Sequence, residues 1–172
     1  VLAELKKFDE GKKLASDLVP RVRRALGAEH PRLADALLQE GSLLEAMGSF
    51  AAAHDAYRGV VRVREKAFGT NNLKLAQPLT SCGEMLMKLG RYAEAVVDLE
   101  RGYALEKQGK GSPASLGETL LLVARARWRA GRPRADVDKA LAEARQLLEK
   151  TPAGKKHLAA LAALRAELTA SR

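Results

Sequence analysis

Three glycines, Gly27, Gly69 and Gly111, stand 42 residues apart, and the same interval separates Phe8, Phe50 and Tyr92, Gly41 from Gly83, and Gly48 from Gly90. Independent landmarks on one period define an internal repeat, and a repeat of this length is a unit that stacks on its neighbours instead of closing its own core. Aligned on these positions, residues 26–31 (LGAEHP) match 68–73 (FGTNNL), and 47–53 (MGSFAAA) match 89–95 (LGRYAEA). A third copy, with one residue missing at its inner turn, carries AGRPRA over 130–135.

Within each period the apolar residues recur at helical spacing, with no strand-like alternation. Leu33, Leu37, Leu38 and Leu44 predict one helix and Phe50, Ala53, Tyr57, Val60 and Val61 the next; the later copies repeat the scheme. Pro31 and Pro113 stand where a first helical position belongs, and Gly48, Gly90 and Gly131 where a helix stops. His30, Ser112 and Thr151, each before a proline, are candidate N-caps. Each helix is about 15 residues, or roughly 22 Å, and buries one stripe against its hairpin partner. Gly41 and Gly83 allow close approach, Ala53 and Ala95 accept it, and Phe50 and Tyr92 fill the space between hairpins. Pro20 is expected to break or kink the helix of the N-terminal segment near Val19.

The reading is an all-α helix-hairpin solenoid: a partial first repeat over 1–27, repeats over 28–69 and 70–111, a degenerate repeat over 112–150, and a C-terminal capping helix over 151–172, helical from Lys155 to about Ala170. These residues resemble the tetratricopeptide repeat, specifically its 42-residue form found in kinesin light chains and bacterial relatives. The pattern is Leu37, Gly41, Leu44, Gly48, Phe50, Ala53 and Tyr57 in one copy, and Leu79, Gly83, Leu86, Gly90, Tyr92, Ala95 and Leu99 in the next. In the third copy Pro133 replaces the aromatic. The resemblance implies a right-handed superhelix and a non-catalytic scaffold that binds a peptide or helical segment of a partner in its concave groove. The Ala/Leu/Arg-rich third copy and its end, ALAEARQLLE over 140–149, also look like the C-terminal repeat regions of bacterial, notably myxobacterial, serine/threonine kinases. That likeness implies a signalling context.

Thirty Lys and Arg against 21 Asp and Glu give a formal charge of +9, which favours an acidic partner. The basic residues are spread along the chain among acidic neighbours, and only Trp128 lies within a basic cluster. Nucleic-acid grooves add aromatic stacking platforms, so a polyanion-binding helical domain is the weaker reading. A ligand-sensing module attached to a kinase or transcription regulator is a further alternative. No apolar run is long enough for a membrane span. A single cysteine, Cys82, excludes an intrachain disulfide and suits a reducing compartment, here read as the cytoplasm. The chain lacks an initiator Met and is expected to be a piece of a longer polypeptide.

No motif points to catalysis, a cofactor or a metal. GKGSPA over 109–114 fits a relaxed dinucleotide fingerprint but follows a helix where a strand is required. His30, His54 and His157 lack partners at metal-ligand spacing, and His54, beside Asp55, is expected on the surface. Cys82, next to Gly83, is expected in or near the core, with no base in sight to activate it.

In tetratricopeptide arrays the first helices of successive hairpins line the concave face. Projecting the helical period places Asp35, Leu38, Gln39, Ser42 and Glu45 there in the first hairpin. Gln77, Thr80, Ser81, Glu84 and Lys88 follow in the second, and Glu118, Leu121, Leu122, Arg125, Trp128 and Arg129 in the third. Arg125 and Arg129, one turn apart with Trp128 beside them, form the sharpest expectation: two guanidiniums and an indole for a carboxylate-bearing peptide.

Overall fold

The computed structural model describes residues 17–170. Residues 17–26 are helical (α1), followed by α2 (Pro31–Ala46), α3 (Phe50–Phe68), a 3-10 turn (Leu73–Leu75), α4 (Ala76–Lys88), α5 (Tyr92–Gln108), α6 (Pro113–Arg129), α7 (Arg134–Leu148), a short turn α8 (Pro152–Lys155) and α9 (Leu158–Ala170). No strand occurs among the described residues. The helices pair as hairpins α2–α3, α4–α5 and α6–α7, and each hairpin leans on the next through α3–α4 and α5–α6. This is the stacked-hairpin solenoid that the 42-residue period requires.

The inner turns share one device. The N–H groups of Ser49, Arg91 and Arg132 donate to the carbonyls of Leu44, Leu86 and Arg127, each at 2.9 Å. The residue before each is a glycine in the left-handed region: Gly48, Gly90 and Gly131, with φ of 71°, 75° and 69°. At the outer turn after α5, Gly111 N–H donates to Glu106 O at 2.8 Å in the same pattern. There Lys110 occupies the left-handed position with φ 57°, so Gly111, which keeps the period, is not the residue that needs it.

The expected caps form. His30 Nδ1 accepts from Arg32 N–H at 3.2 Å, Ser112 Oγ from Ser115 N–H at 3.2 Å, and Thr151 Oγ1 from Gly154 N–H at 3.0 Å. The second repeat has no proline at its helix start, and the chain enters α4 through the 3-10 turn, capped by Asn72 Oδ1 accepting from Lys74 N–H at 3.0 Å.

Close approach within hairpins is also as the small residues dictate. A Cβ on Gly83 would stand 2.5 Å from Leu99 Cγ, and one on Gly41 would stand 2.7 Å from the Tyr57 ring. Ala53 and Ala95 are fully buried.

Two expectations are corrected. The backbone is continuously helical through Val19 and Pro20. A proline ring clashes with the carbonyl four residues earlier, which here belongs to residue 16, outside the described range. The C-terminal helix begins at Leu158, later than Lys155, because α8 makes a separate turn in which Gly154 packs on the Leu148 backbone. Leu161, Leu164 and Leu168 of α9 then pack on the apolar face of α6 and α7. The residues before 17, including Phe8 and Gly11 of the partial repeat, lie outside the described residues.

Candidate functional site

First helices α4 and α6 touch across the intervening α5, and the surface they share forms a chain of three concavities. A cavity of about 450 Å³ is lined by Gln77, Thr80, Ser81 and Glu84 from α4 and by Glu118 and Leu122 from α6. A second, of about 260 Å³, is lined by Glu84, Lys88, Tyr92, Leu122, Arg125 and Arg129. A third, of about 160 Å³, holds Glu118, Leu121 and Arg125 against His157. Glu84, Leu122 and Arg125 recur among them, so the three are stretches of one groove. A larger cavity, about 710 Å³, lies elsewhere, between Leu33, Leu37, Arg62 and Lys66.

Nine of the ten residues expected to form the site line these concavities: Gln77, Thr80, Ser81, Glu84, Lys88, Glu118, Leu121, Arg125 and Arg129. Leu121 borders the smallest cavity, but it is 8% exposed and belongs to the core between α6, α7 and α9. Trp128 is divided. One side packs on that same core, and the Arg129 guanidinium lies 5.2 Å from its ring centre. The indole is therefore a shelf under Arg129 and lines none of the three cavities. Arg129 also sits 5.9 Å from the Tyr92 ring. Among the described residues neither Arg125 nor Arg129 makes an ion pair.

The middle of the groove is acidic. Burial raises the Glu84 carboxyl above its usual range, and the nearby charges of Glu45 and Glu118 raise it further, with Lys88 opposing. Glu45 is held by Tyr57, whose hydroxyl donates to its Oε2 at 2.8 Å and lies 3.3 Å from Ser42 Oγ. Glu118 lies 3.7 Å from His157 Nε2. Each glutamate is recognisable as groove-facing from its own helical period. Their convergence is not, because the three do not share a repeat position. The groove thus runs from carboxylates at Glu84 and Glu118 to a cationic, aromatic end at Lys88, Arg125, Arg129 and Tyr92.

Much of the remaining basic charge ties hairpins together. Arg58 forks onto Asp98, Arg101 pairs with Glu65 at 2.6 Å, Arg127 with Glu100 at 2.8 Å and Lys107 with Glu143 at 2.9 Å. These pairs join α3 to α5, α5 to α6 and α5 to α7.

His54 is the clear correction. Its side chain is only 13% exposed, because it lies on the side of α3 that meets Cys82 of α4 and Asp98 of α5. Its ring nitrogens point opposite ways: Nδ1 lies 3.4 Å from Asp55 Oδ1, and Nε2 is buried without a hydrogen-bond partner. Cys82 is fully buried, as expected, and burial pushes its thiol up to about 12 against the opposing charge of Arg58. The fold brings His54 to Cys82 and Asp98, an association that sequence spacing does not reveal.

Fold and groove together define a tetratricopeptide-like repeat solenoid, a class that generally serves as a scaffold for protein–protein interaction. The tetratricopeptide repeat profile matches residues 33–73. Among solved structures, the chain is similar to BtubC (BKLC) from P. vanneervenii, with a TM-score of 0.74 and 15% identity over 83% of this chain and 57% of that one. It is also similar to the nearly identical TPR-like repeats of a kinesin-light-chain-like protein from Podosopora anserina, with a TM-score of 0.69 and 21% identity over 86% of this chain and 70% of that one. A singly substituted form of those repeats gives a TM-score of 0.73 at 17% identity, over 96% of this chain and 90% of that one. At these identities the likeness is one of fold. The chain spans little more than half of BtubC. No curated protein matches it. No described helix is long and apolar enough to cross a membrane.

Proposed function

We propose that the chain is a non-catalytic interaction module whose concave groove holds an extended or helical segment of a partner protein. The occupant places a carboxylate, from an acidic side chain or a chain terminus, against Arg125 and Arg129, and lays polar backbone along Gln77, Thr80 and Ser81. The observation that carries this reading is the pair of guanidiniums, in no ion pair with any described carboxylate, beside Tyr92 and Lys88 in one concavity. A guanidinium fork gives bidentate recognition of carboxylate, and the aromatic shelf under Arg129 restricts its rotamers in advance. The acidic stretch at Glu84 and Glu118 adds polarity: a segment with a donor or cation one repeat away from its carboxylate fits in one direction only.

The likeness of the third copy to kinase-associated repeats supports a place in a bacterial signalling protein, with the groove recruiting a substrate or regulator to an attached domain. The buried free thiol of Cys82 suits the cytoplasm.

Affinity capture from native lysate at low and moderate salt, with wild type and Arg125→Glu/Arg129→Glu side by side, tests the reading. Circular dichroism establishes that both are helical. The expected result is a protein set that survives moderate salt and is lost with the folded double variant. Nucleic acid captured only at low salt supports the polyanion reading instead. Unaltered capture by the double variant overturns the groove assignment.

A further inference from the structure

We propose that His54, Cys82 and Asp98 form a binding site for one divalent metal ion of the zinc class, inside the junction of two hairpins and apart from the groove. The three side chains come from α3, α4 and α5, and their donor atoms (an imidazole nitrogen, the thiol sulfur and a carboxylate oxygen) lie within 4.8 Å of one another. Among the described residues, His54 Nε2 is the sole buried side-chain nitrogen or oxygen without a hydrogen-bond partner. Native interiors satisfy such atoms almost without exception, and an orphan calls for an explanation. A metal ion supplies one.

The surroundings are those of a ligating histidine. Asp55 Oδ1 stands 3.4 Å from His54 Nδ1, on the side where metal-bound imidazoles usually find a carboxylate. A proton held at Nδ1 leaves the lone pair at Nε2, the buried and unpartnered atom. Arg58 donates to both Asp98 oxygens. An ionised carboxylate has about four acceptor positions, so this fork orients Asp98 and leaves it able to bind a metal. Bonds of about 2.0–2.3 Å in a tetrahedron set ligand atoms about 3.5 Å apart. Closure therefore needs the widest donor pair to contract by at most about 1.3 Å, within reach of side-chain rotation.

The donor set selects the ion. Imidazole and thiolate exclude magnesium and calcium, which take oxygen ligands, and three protein ligands leave a fourth position for water. On binding, the metal–sulfur bond forms as the Cys82 thiol releases its proton to solvent. The thiolate, Asp98 and Asp55 then carry three negative charges against the two of the ion and the one of Arg58. A bound ion would hold three helices from two consecutive hairpins in fixed register.

Cobalt(II) titration of the whole chain tests the site, because a thiolate–cobalt charge-transfer band can come only from the single cysteine. The expected result is one equivalent of cobalt with that band, displaced by zinc, together with a raised melting temperature. The band should vanish in Cys82→Ser, and affinity should fall at least about tenfold in His54→Ala and in Asp55→Asn, which spares all three ligands. Circular dichroism of each variant separates loss of the site from loss of the fold. Absence of the band in folded wild type, or a band undiminished in folded His54→Ala, overturns the proposal.

Discussion

Arg58 on α3 donates to both carboxylate oxygens of Asp98 on α5, 40 residues further along the chain, with Nη1 3.1 Å from Oδ1. The pair joins the second helices of consecutive hairpins, and its two ends are unequally placed. Asp98 is 6% exposed, whereas the Arg58 side chain is 36% exposed. Arg58→Ala strands a buried carboxylate and should destabilise the fold by about 2 kcal/mol. Asp98→Asn should cost less, since the arginine can turn to water. Urea midpoints of both variants check the order, and an Asp98→Asn loss equal to or larger than that of Arg58→Ala would contradict it.

Gly83 sets the spacing of α4 against α5. A methyl there meets Leu99 Cγ at 2.5 Å and the Ala95 carbonyl at 3.3 Å, and a buried backbone cannot give as a surface side chain can. Gly83→Ala should therefore cost about 1–3 kcal/mol. The opposite sign is expected at the outer turn. Lys110 holds a left-handed φ of 57° in the position that glycine takes at the inner turns, so Lys110→Gly should stabilise by about 0.5–1 kcal/mol. Thermal unfolding of the two variants reads both.

Alkaline stability should report the Tyr57–Glu45 contact. Burial is the main cause that pushes the Tyr57 hydroxyl up to about 12, and Glu45 adds to it. The folded state therefore holds this proton more tightly than the unfolded chain, where tyrosine titrates near 10. The contribution is intact below about pH 10 and is lost between about 10 and 12, at up to roughly 1.4 kcal/mol per pH unit for one group. Denaturation midpoints across that window should fall less steeply in Tyr57→Phe than in wild type.

Glu84 should behave as a residue retained at a stability cost. Its carboxyl is raised by burial and by Glu45 and Glu118. It thus favours the folded state in its protonated form, an advantage lost as pH rises through its raised value. At neutral pH Glu84→Gln should stabilise the chain by about 0.5–1 kcal/mol while weakening capture of a partner. Paired measurement of melting temperature and partner retention checks this, and loss of stability would contradict the electrostatic account.

The period, the hairpins and the turns were legible because a stacked repeat makes every copy solve the same packing problem. Gly48 and Gly90 end helices for one reason, and their spacing displays it. Groove residues were legible by projection from the same helices, down to Arg125 and Arg129. What could not be read depends on contacts between copies. Trp128 projects toward the groove, yet packs on the core that α6, α7 and α9 share. His54 shares its first turn with exposed Asp55 and looks like a surface residue until α4 and α5 of the next hairpin close over it. At the outer turn after α5 the left-handed residue is Lys110, while the glycine of the period, Gly111, packs closely on Glu106.

The central claim, that the concave face holds the partner, is tested most directly by site-specific photo-crosslinking in native lysate. A photoreactive residue replaces Ser81 or Lys88 in the groove and, separately, Val97, which is 63% exposed on the outer side of α5. The account expects discrete adducts from Ser81 and Lys88, abolished by Arg125→Glu/Arg129→Glu, and none of the same mass from Val97. The same adducts from Val97, or groove adducts that persist in the folded double variant, would contradict it.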